Sequence, residues 1–539
     1  MFQARPTNTL TKVPASRGAE LPCDDSSKAR AGGAWVLVSV LLGTFTVSLN
    51  NSALNLAVAE LMATFDASAS QVNWVITLFM ISMAMTMPLT GYLADRFGRR
   101  VIYLLGLIGF IAGSGLGAMA DSLDSIIIAR GVQGMAAGLM MPLSLALIFA
   151  AYPPEQRGRV SGIWGFAVMI APAIGPSVGG LLLEVSHWRA LFVMNLPFAL
   201  LGLVVGWRCL HREAPNRARR FDLPGFVLIT LGMGAVLFSL SRIDSLAELL
   251  TPSALVPLGL GLAALAGFVV VERGMEFKAG RMQERNADPT AAQGAPAPLL
   301  SLSLFGHRAF RLSVVLACLQ SIILFGCVLL VPLWMHQVLG ASPLTTGLVF
   351  LATALMASLS SPIAGRMIDR YPPQWCLLAG LVLTAVSLAG LALMSSATPA
   401  WVVGLWMGTR GIGLACGYLP STTVGMRALP DRDMAQASAM NNMARRLIAS
   451  LGLVALSLYY DTRVSGVTAA GVSAAEASAK ALHETFIALA AIALLCLPLA
   501  WALGREIGHS SGRQTRQSPG RQENQASAQP ASSRDGTSS

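Results

Sequence analysis

Charged side chains stand inside several long apolar stretches of this sequence. A charge within a membrane is costly, and such residues normally face a cavity or a partner. The deeply placed charges are all basic, whereas carboxylates occur only near the ends of the stretches. This imbalance predicts a positively charged cavity, which favours a neutral or anionic ligand over a lipophilic cation. The deeply placed basic residues are Arg130, Arg410, Arg445 and Arg446. The alternative is that these arginines only hydrogen-bond helix ends.

Uncharged polar residues cluster in the first apolar stretch, around Asn50. An asparagine side chain donates and accepts hydrogen bonds but does not titrate. With the arginines, these residues form our predicted substrate and coupling site, whose members are Asn50, Asn51, Asn55, Arg130, Gln133, Arg410 and Arg446. Candidates for carrying a proton lie near the ends of apolar stretches, and they are Asp95, Glu60, Asp222 and His336.

The sequence lacks the patterns of catalytic and ATP-hydrolysing sites. It contains no GxxxxGK[ST] phosphate loop. No Ser/His/Asp, Cys/His or metal-ligand constellation is visible either, and the seven cysteines form no CxxC pair. We therefore expect neither an enzyme nor a bound cofactor or metal, and we expect a proton gradient to drive any uphill step.

Composition predicts the class of the protein. Of 539 residues, 54% are hydrophobic and 12% are charged, against roughly 25% charged in average soluble domains. The apolar residues form runs of roughly 20, which match the hydrocarbon core of a bilayer. We expect an all-α polytopic membrane protein with about fourteen spans, near residues 35–57, 72–92, 101–120, 124–150, 160–183, 190–208, 223–243, 253–271, 309–333, 344–365, 375–395, 400–420, 434–458 and 484–504.

Basic residues are concentrated in alternate gaps between these stretches, as in the gap after residue 95 and the gap after residue 156. By the positive-inside rule, both termini are cytoplasmic, which requires an even number of spans in the inner cell membrane. The net charge of +11 is compatible with binding to nucleic acid. No basic domain interleaved with aromatic residues is present, so we expect no nucleic-acid partner.

The longest inner connection separates two halves and contains a Pro/Ala-rich stretch. The final segment is polar and basic, without apolar periodicity, so we expect it to be disordered and to rest near anionic lipid. The predicted units are a cytosolic tail at 1–34, an N-terminal six-helix bundle at 35–210, two inserted helices at 211–271, a cytoplasmic linker at 272–308, a C-terminal six-helix bundle at 309–505 and a disordered cytosolic tail at 506–539.

A charged turn closes the second apolar stretch, at residues 91–100, and a weaker copy closes the tenth, at residues 365–371. An aspartate there can pair with an arginine or a helix N-terminus of the neighbouring bundle, and glycine permits a tight reversal. We expect such pairs to latch the cytoplasmic face shut; the alternative is that the arginines only set topology. The predicted gate residues are Gly91, Asp95, Arg96, Gly98, Arg99, Asp369 and Arg370.

Small residues and prolines alternate in the fifth apolar stretch. Small residues spaced four apart give one flat helix face that a second helix can approach closely, and proline removes a backbone hydrogen bond. This pattern favours a hinge between the halves, with static packing as the alternative. The predicted hinge residues are Pro172, Gly175, Pro176, Gly179 and Gly180.

Together these motifs resemble those of the major facilitator superfamily, and within it the fourteen-span drug:proton antiporter family. The turn at 91–100 is similar to the superfamily's loop signature, and residues 130–134 are similar to its fourth-helix motif. The string at 171–180 resembles the antiporter signature. One departure is Asn50, which replaces an aspartate that the family usually uses for proton or cation handling, so that role cannot be carried over.

The resemblance implies a major facilitator fold, with two six-helix bundles and two extra helices. It also implies proton-coupled export of small, often lipophilic compounds by alternating access, as in multidrug efflux. Partners would be the small-molecule substrate and a periplasmic adaptor of an efflux system. Two alternatives stay open, a substrate-specific exporter of a metabolite or siderophore, and a transport-inactive sensor.

Overall fold

In the computed structural model, the described residues are 25–211, 221–243, 246–285, 298–430 and 433–517, and all regular elements within them are helices. We number only the long helices. They are α1 (Asp25–Ala53), α2 (Ala69–Phe97), α3 (Arg99–Ala118), α4 (Leu123–Ala151), α5 (Arg157–Val185), α6 (Leu196–Cys209), α7 (Leu223–Leu240), α8 (Pro252–Arg285), α9 (Arg308–Leu333), α10 (Pro343–Arg370), α11 (Pro373–Ala392), α12 (Ala400–Met426), α13 (Met434–Ala469) and α14 (Ala474–Gln517).

Short elements connect or extend these helices. The chain after α1 continues as a 3-10 turn and a short helix, and α9 ends in a π-helical turn. The short elements are Leu54–Ala57, Val58–Phe65, Pro154–Gln156, Ala190–Val193, Leu246–Leu249, Leu302–Gly306 and Trp334–Val338.

Within the described ranges, thirteen helices are long and apolar enough to cross a bilayer. The predicted all-helical, polytopic membrane architecture is therefore confirmed. Helix α12 coincides with the predicted span at 400–420 but is not among the thirteen. It is rich in glycine and carries the buried Arg410, which lowers its mean hydropathy. The number fourteen stays a prediction.

Local sequence explains where several helices begin. Ser68 and Gln71 form a capping box at the start of α2, in which Ser68 Oγ accepts from the Gln71 amide and Gln71 Oε1 accepts from the Ser68 amide. Ser342 caps α10 by accepting a hydrogen bond from the Thr345 amide, and Pro343 occupies the first helical position. Such caps satisfy amides that have no partner inside the helix.

Glycines bring the helices of each half close together. A Cβ on Gly134 of α4 would lie 3.0 Å from Phe79 Cα of α2. In the other half, a Cβ on Gly411 of α12 would lie 3.0 Å from the backbone nitrogen of Ala357 on α10. Each contact lies within one turn of a fully buried arginine. The closely packed glycine directly follows the arginine in α12 but is the fourth residue after it in α4, so the Arg-Gly repeat is not an exact repeat of this packing.

The two halves meet along α5 and α10 and along α2 and α13. A Cβ on Gly162 of α5 would lie 3.0 Å from Pro362 Cα of α10, and one on Gly365 of α10 would lie 3.1 Å from Gly162 Cα. Backbone contact at this distance is possible only between residues without large side chains. The backbones of α5 and α10 are therefore very close to each other near the end where α5 begins.

The inserted helices α7 and α8 pack against each other, with a Cβ on Gly232 reaching to 3.1 Å from the carbonyl oxygen of Gly261. Thr230 of α7 donates to the Met85 carbonyl oxygen of α2 at 3.5 Å. Buried residues of α7, including Val236, pack against Leu447 and Val454 of α13. The inserted pair therefore covers the α2–α13 side of the interface between the halves.

Three helices extend past the predicted unit boundaries. Helix α1 begins at Asp25 inside the predicted tail, α8 runs to Arg285 inside the predicted linker, and α14 runs to Gln517 inside the segment expected to be disordered. Helical hydrogen bonds are local and do not require a bilayer, so a helix can continue beyond the lipid. Residues 1–24, 286–297 and 518–539 of these units lie outside the described residues. The division into units stays a prediction.

Candidate substrate and gating site

A polar network surrounds Arg130 inside the N-terminal half. Arg130 is 1% exposed, and its Nε donates to the Val75 carbonyl oxygen at 3.0 Å. Its Nη1 donates to Gln133 Oε1 at 3.0 Å and to Asn50 Oδ1. The guanidinium carbon lies 4.0 Å from the centre of the Phe79 ring. Three of the predicted site residues are thus brought together by α1, α2 and α4.

This network has unused hydrogen-bonding capacity. Gln133 Nε2 donates to Ser114 Oγ of α3 at 2.9 Å, whereas Asn50 Nδ2 and the neighbouring Asn51 Oδ1 have no hydrogen-bond partner. A buried polar atom without a hydrogen-bond partner destabilises the protein. A substrate or water molecule that hydrogen-bonds to such an atom would therefore bind favourably. Asn55 lies in the 3-10 turn after α1, and its side chain is outside the described part of the structure.

Arg410 occupies the corresponding position of the C-terminal half but has a different environment. It is 1% exposed, and its Nη2 donates to the Leu324 carbonyl oxygen of α9 at 3.2 Å. It also lies against the thiol of Cys327 on α9, while its Nε has no partner. Leu324 lies in the interior of α9 and not at a helix end, so this contact differs from the alternative that the sequence offered, and the role of Arg410 stays a prediction.

Arg446 of α13 reaches across from one half to the other. Its Nη2 lies 3.1 Å from the sulfur of Met83 and its Nη1 lies 3.6 Å from the sulfur of Met80, both on α2. Thioether sulfur is a weak acceptor. Within the described residues this cation has no carboxylate partner, so its positive charge is poorly neutralised.

Aromatic residues complete the region between the halves. Trp164 of α5 donates from Nε1 to Thr44 Oγ1 of α1 at 3.3 Å and packs against Tyr418 of α12. The Tyr418 hydroxyl in turn accepts from Arg445, whose guanidinium carbon lies 4.4 Å from the ring centre. Our sequence analysis did not include these two aromatic residues. Their positions depend on how α5 and α12 face each other, which no local pattern predicts.

Asp369 connects the halves at the end where α10 finishes. Its Oδ1 accepts from the Gly158 amide at 2.9 Å, its Oδ2 accepts from the Arg159 amide at 2.6 Å, and Oδ1 pairs with Arg427 Nη2 at 2.6 Å. The two amides belong to the first turn of α5, where the helix dipole attracts negative charge. We call these contacts the α5–α10 latch.

Asp95 occupies the matching place at the end of α2. Its Oδ2 accepts from Gln436 Nε2 of α13 at 3.2 Å, and a Cβ on Gly91 would lie 3.3 Å from Gln436 Cα. We call this contact the α2–α13 latch. Gly91, Asp95 and Asp369 therefore lie at the interface of the halves, where the sequence predicted gate residues.

The remaining predicted gate residues surround the turns. Gly98 has φ 90° between α2 and α3, a backbone conformation that favours glycine. Arg99 is buried, Arg96 is half-buried and Arg370 is exposed.

The predicted hinge residues of α5 face α1 within the same half. A Cβ on Gly175 would lie 2.7 Å from Ser52 Cβ, and one on Gly179 would lie 3.2 Å from Ala53 Cβ. Ser52 Oγ donates to the Pro172 carbonyl oxygen at 3.0 Å. A Cβ on Gly180 would meet no atom within 4 Å, and the side chain of Pro176 is outside the described part. Gly175 and Gly179 thus allow close packing of α1 and α5.

The three other candidates for carrying a proton bind backbone groups near helix ends. Glu60 Oε1 accepts from the Trp188 amide at 2.9 Å. His336 is exposed, and its Nδ1 lies 3.0 Å from the Ala341 carbonyl oxygen. Asp222 precedes α7 and accepts from the Gly225 amide at 2.9 Å.

Known proteins resemble this chain over most of its length. The Haemophilus influenzae multidrug export protein EmrB is 30% identical over 425 residues, which cover 78% of this chain and 79% of that protein. The Neisseria gonorrhoeae fatty acid resistance protein FarB is 28% identical over 436 residues, covering 80% of this chain and 81% of that protein.

Solved structures confirm the fold. A crystal structure of a double tryptophan mutant of XylE matches with a TM-score of 0.60 at 16% identity, covering 89% of this chain and 99% of that one. Residues 40–453 match the Major Facilitator Superfamily, which is well over half of the chain. The motif resemblance, the fold and these matches agree: the chain belongs to the Major Facilitator Superfamily and is a multi-pass membrane transporter.

Proposed function

We propose that the protein exports small, often lipophilic compounds across the inner cell membrane by alternating access, coupled to a proton gradient, with both termini in the cytoplasm. We further propose that it prefers neutral or anionic substrates. The observation that carries this proposal is Arg446, a cation that reaches from one half to the other, hydrogen-bonds to the sulfurs of Met80 and Met83, and pairs with no carboxylate among the described residues.

The charge balance of the central region supports the anion preference. Arg130 is hydrogen-bonded to side-chain amides and a carbonyl but to no carboxylate among the described residues, so its charge is not neutralised. The resemblance to the drug:proton antiporter family implies an aspartate at the position of Asn50, which this chain lacks. Arg445 and Arg446 are adjacent on α13 and add two positive charges near Tyr418 and Met83. A carboxylate in this region would receive charge-assisted hydrogen bonds. The name of the relative FarB, a fatty acid resistance protein, agrees with such a substrate.

The latches support alternating access. Both latches lie at the same end of the molecule, and each joins a carboxylate of one half to the helix start or a side chain of the other. Such contacts are short-range and can break without unfolding either half. We propose that opening them exposes the central region to the cytoplasm, which is rigid-body rocking of two repeats about a central site.

The proton gradient supplies the free energy for export against a concentration gradient. One charge crossing 100 mV provides about 2.3 kcal/mol, enough for a concentration ratio of roughly fiftyfold. A single proton per cycle is therefore sufficient for export against a substantial gradient.

The test is efflux from proteoliposomes under an imposed pH gradient, with anionic, neutral and cationic lipophilic compounds compared side by side. We expect anionic and neutral compounds to be exported and Arg446→Gln to reduce export of the anionic ones most. Arg446→Lys keeps the charge and should retain part of that activity. The matched control is Arg505→Gln, which removes an exposed arginine of α14. Preferential export of cations, or equal loss for all three classes in Arg446→Gln, would contradict the charge preference. Flux that does not depend on the pH gradient would contradict proton coupling, and absence of any flux would contradict export itself and favour the sensor alternative.

A further inference from the structure

Arg130 carries a buried positive charge that no carboxylate among the described residues balances. The residue is 1% exposed. Its hydrogen bonds go to the Val75 carbonyl oxygen and to the amide oxygens of Asn50 and Gln133, all of which are neutral groups. It forms no ion pair with a described residue. A guanidinium stays protonated in proteins, and a buried charge without a partner destabilises the fold strongly. A counter-ion bound at this place would therefore stabilise the protein.

Three acidic side chains near this end of the N-terminal half are engaged elsewhere or exposed. Arg130 lies about two turns after the start of α4. Asp124, in the first turn of that helix, is exposed. Asp121 pairs with Arg189 at 3.4 Å, and Glu60 accepts a hydrogen bond from a backbone amide at 2.9 Å. These carboxylates therefore do not supply the counter-charge of Arg130.

The directions of the hydrogen bonds leave a free donor beside this charge. Arginine only donates hydrogen bonds, so the Asn50 side chain turns its oxygen to Arg130, and its amino group points away from that contact. Asn50 Nδ2 is buried without a hydrogen-bond partner, whereas the corresponding nitrogen of Gln133 donates to Ser114 Oγ at 2.9 Å. The unpartnered oxygen of Asn51 lies on another side of α1, because consecutive residues of a helix point about 100° apart. A buried N–H donor beside an unbalanced positive charge favours a negatively charged acceptor.

The surroundings favour a small anion over a large one. The Phe79 ring covers the guanidinium of Arg130, with its centre 4.0 Å from the guanidinium carbon, and Phe79 is itself 1% exposed. A Cβ on Gly134 would lie 3.0 Å from Phe79 Cα, so α2 and α4 pack closely here. A monovalent inorganic ion needs little space, and its single charge equals that of Arg130. A water molecule would satisfy Asn50 Nδ2 but would leave the charge unbalanced.

We propose that Arg130 and Asn50 form a binding site for a small monovalent inorganic anion, of which chloride is the abundant example. The guanidinium supplies the positive charge, and Asn50 Nδ2 donates a charge-assisted hydrogen bond to the anion. The amide oxygens of Asn50 and Gln133 hold the guanidinium in place. The site lies in the N-terminal half, whereas Arg445 and Arg446 belong to the other half and remain available for the substrate. Binding of the ion is additional to the export function proposed above and does not require transport.

The unfolding temperature of the full-length protein in detergent measures anion binding without any transport. Sodium gluconate, the salt of a large organic anion, is replaced stepwise by sodium chloride, bromide or nitrate at constant ionic strength. An ion that binds only the folded protein raises the Tm. At about ten times the dissociation constant, we expect wild type to gain roughly 3–5 °C. Sodium benzoate is tested in parallel as an organic carboxylate, which would act if the site belonged to an anionic substrate.

Substitutions at the two residues of the site identify the place of binding. Asn50→Asp puts a fixed carboxylate against Arg130 and removes the Nδ2 donor, so we expect its Tm in gluconate to be at least that of wild type and its response to chloride to disappear. Arg130→Gln removes the charge and should lose the response as well. Asn73→Asp adds the same charge at an exposed position of α2 and is the matched control. It should respond to chloride like wild type.

Three results would overturn the proposal. They are an equal response to chloride in wild type and Asn50→Asp, no response to any of the inorganic anions in wild type, and stabilisation of wild type by benzoate without stabilisation by chloride. The two variants at the site are independent of each other, so the comparison with Asn73→Asp still decides if one of them fails to fold.

Discussion

Replacing Asp369 with asparagine should open the α5–α10 latch. Asp369 is the only carboxylate in that contact among the described residues, and it serves the Gly158 and Arg159 amides and Arg427 at once. Asparagine retains one acceptor oxygen, but it loses the charge and presents an NH2 group to one of the donors. The Arg427 and Asp369 side chains are only 18% and 11% exposed, so solvent cannot fully replace the ion pair.

The size of the effect follows from these contacts. Only the Gly158 and Arg159 amides belong to the other half, since Arg427 lies in the same half as Asp369. Hydrogen bonds to a charged group contribute about 1.5–3 kcal/mol each. Because asparagine keeps one acceptor, we expect the closed latch to lose about 2 kcal/mol, which changes the closed-to-open ratio by roughly thirtyfold. A latch that is closed in most wild-type molecules would then be open in a large fraction of the variant.

Distances between spin labels measure this shift directly. Labels at Glu155→Cys and Tyr371→Cys lie on exposed positions on the two sides of the latch, in a background where the native cysteines are replaced. We expect Asp369→Asn to move the distance distribution to longer values. The control is Asp124→Asn, which changes an exposed aspartate in the first turn of α4. An unchanged distribution in Asp369→Asn would refute the assignment of this contact as a latch.

Three other substitutions test separate parts of the structure. Asn50→Asp places a carboxylate against Arg130 and should enhance handling of cations in the proteoliposome assay; unchanged selectivity would remove Asn50 from the substrate site. Gly98→Ala forces a side chain into a φ of 90° and should destabilise the protein by about 1–3 kcal/mol, seen as a lower Tm in detergent. Gly115→Ala, whose Cβ would meet nothing within 4 Å, is its control, and an equal Tm for both would contradict the strain argument. Gly162→Val places branched carbons against Pro362 and should separate α5 from α10, which the same spin-label pair would report as a longer distance; a wild-type distance would show that the close approach is dispensable.

The sequence by itself determined that the chain is a helical membrane protein and which motifs form the latches. Apolar runs of bilayer length require helices, because backbone polar groups have no other partner in lipid. The repeated turns around Asp95 and Asp369 are local patterns, and the structure brings both to the interface between the halves. Asn50, Arg130 and Gln133 were predicted as members of one substrate and coupling site, and the structure joins them by hydrogen bonds. Their role in binding stays a prediction.

Tertiary structure alone decided which long-range partners those residues meet. Nothing near Arg446 in the sequence indicates that it contacts Met80 and Met83, which lie more than 360 positions earlier. Glu272 was assigned to a linker because it follows an apolar stretch, yet α8 continues through it and buries it beside Asp222. Periodicity within one helix predicts which face is buried, but the identity of the opposing helix depends on how both halves and the inserted pair assemble.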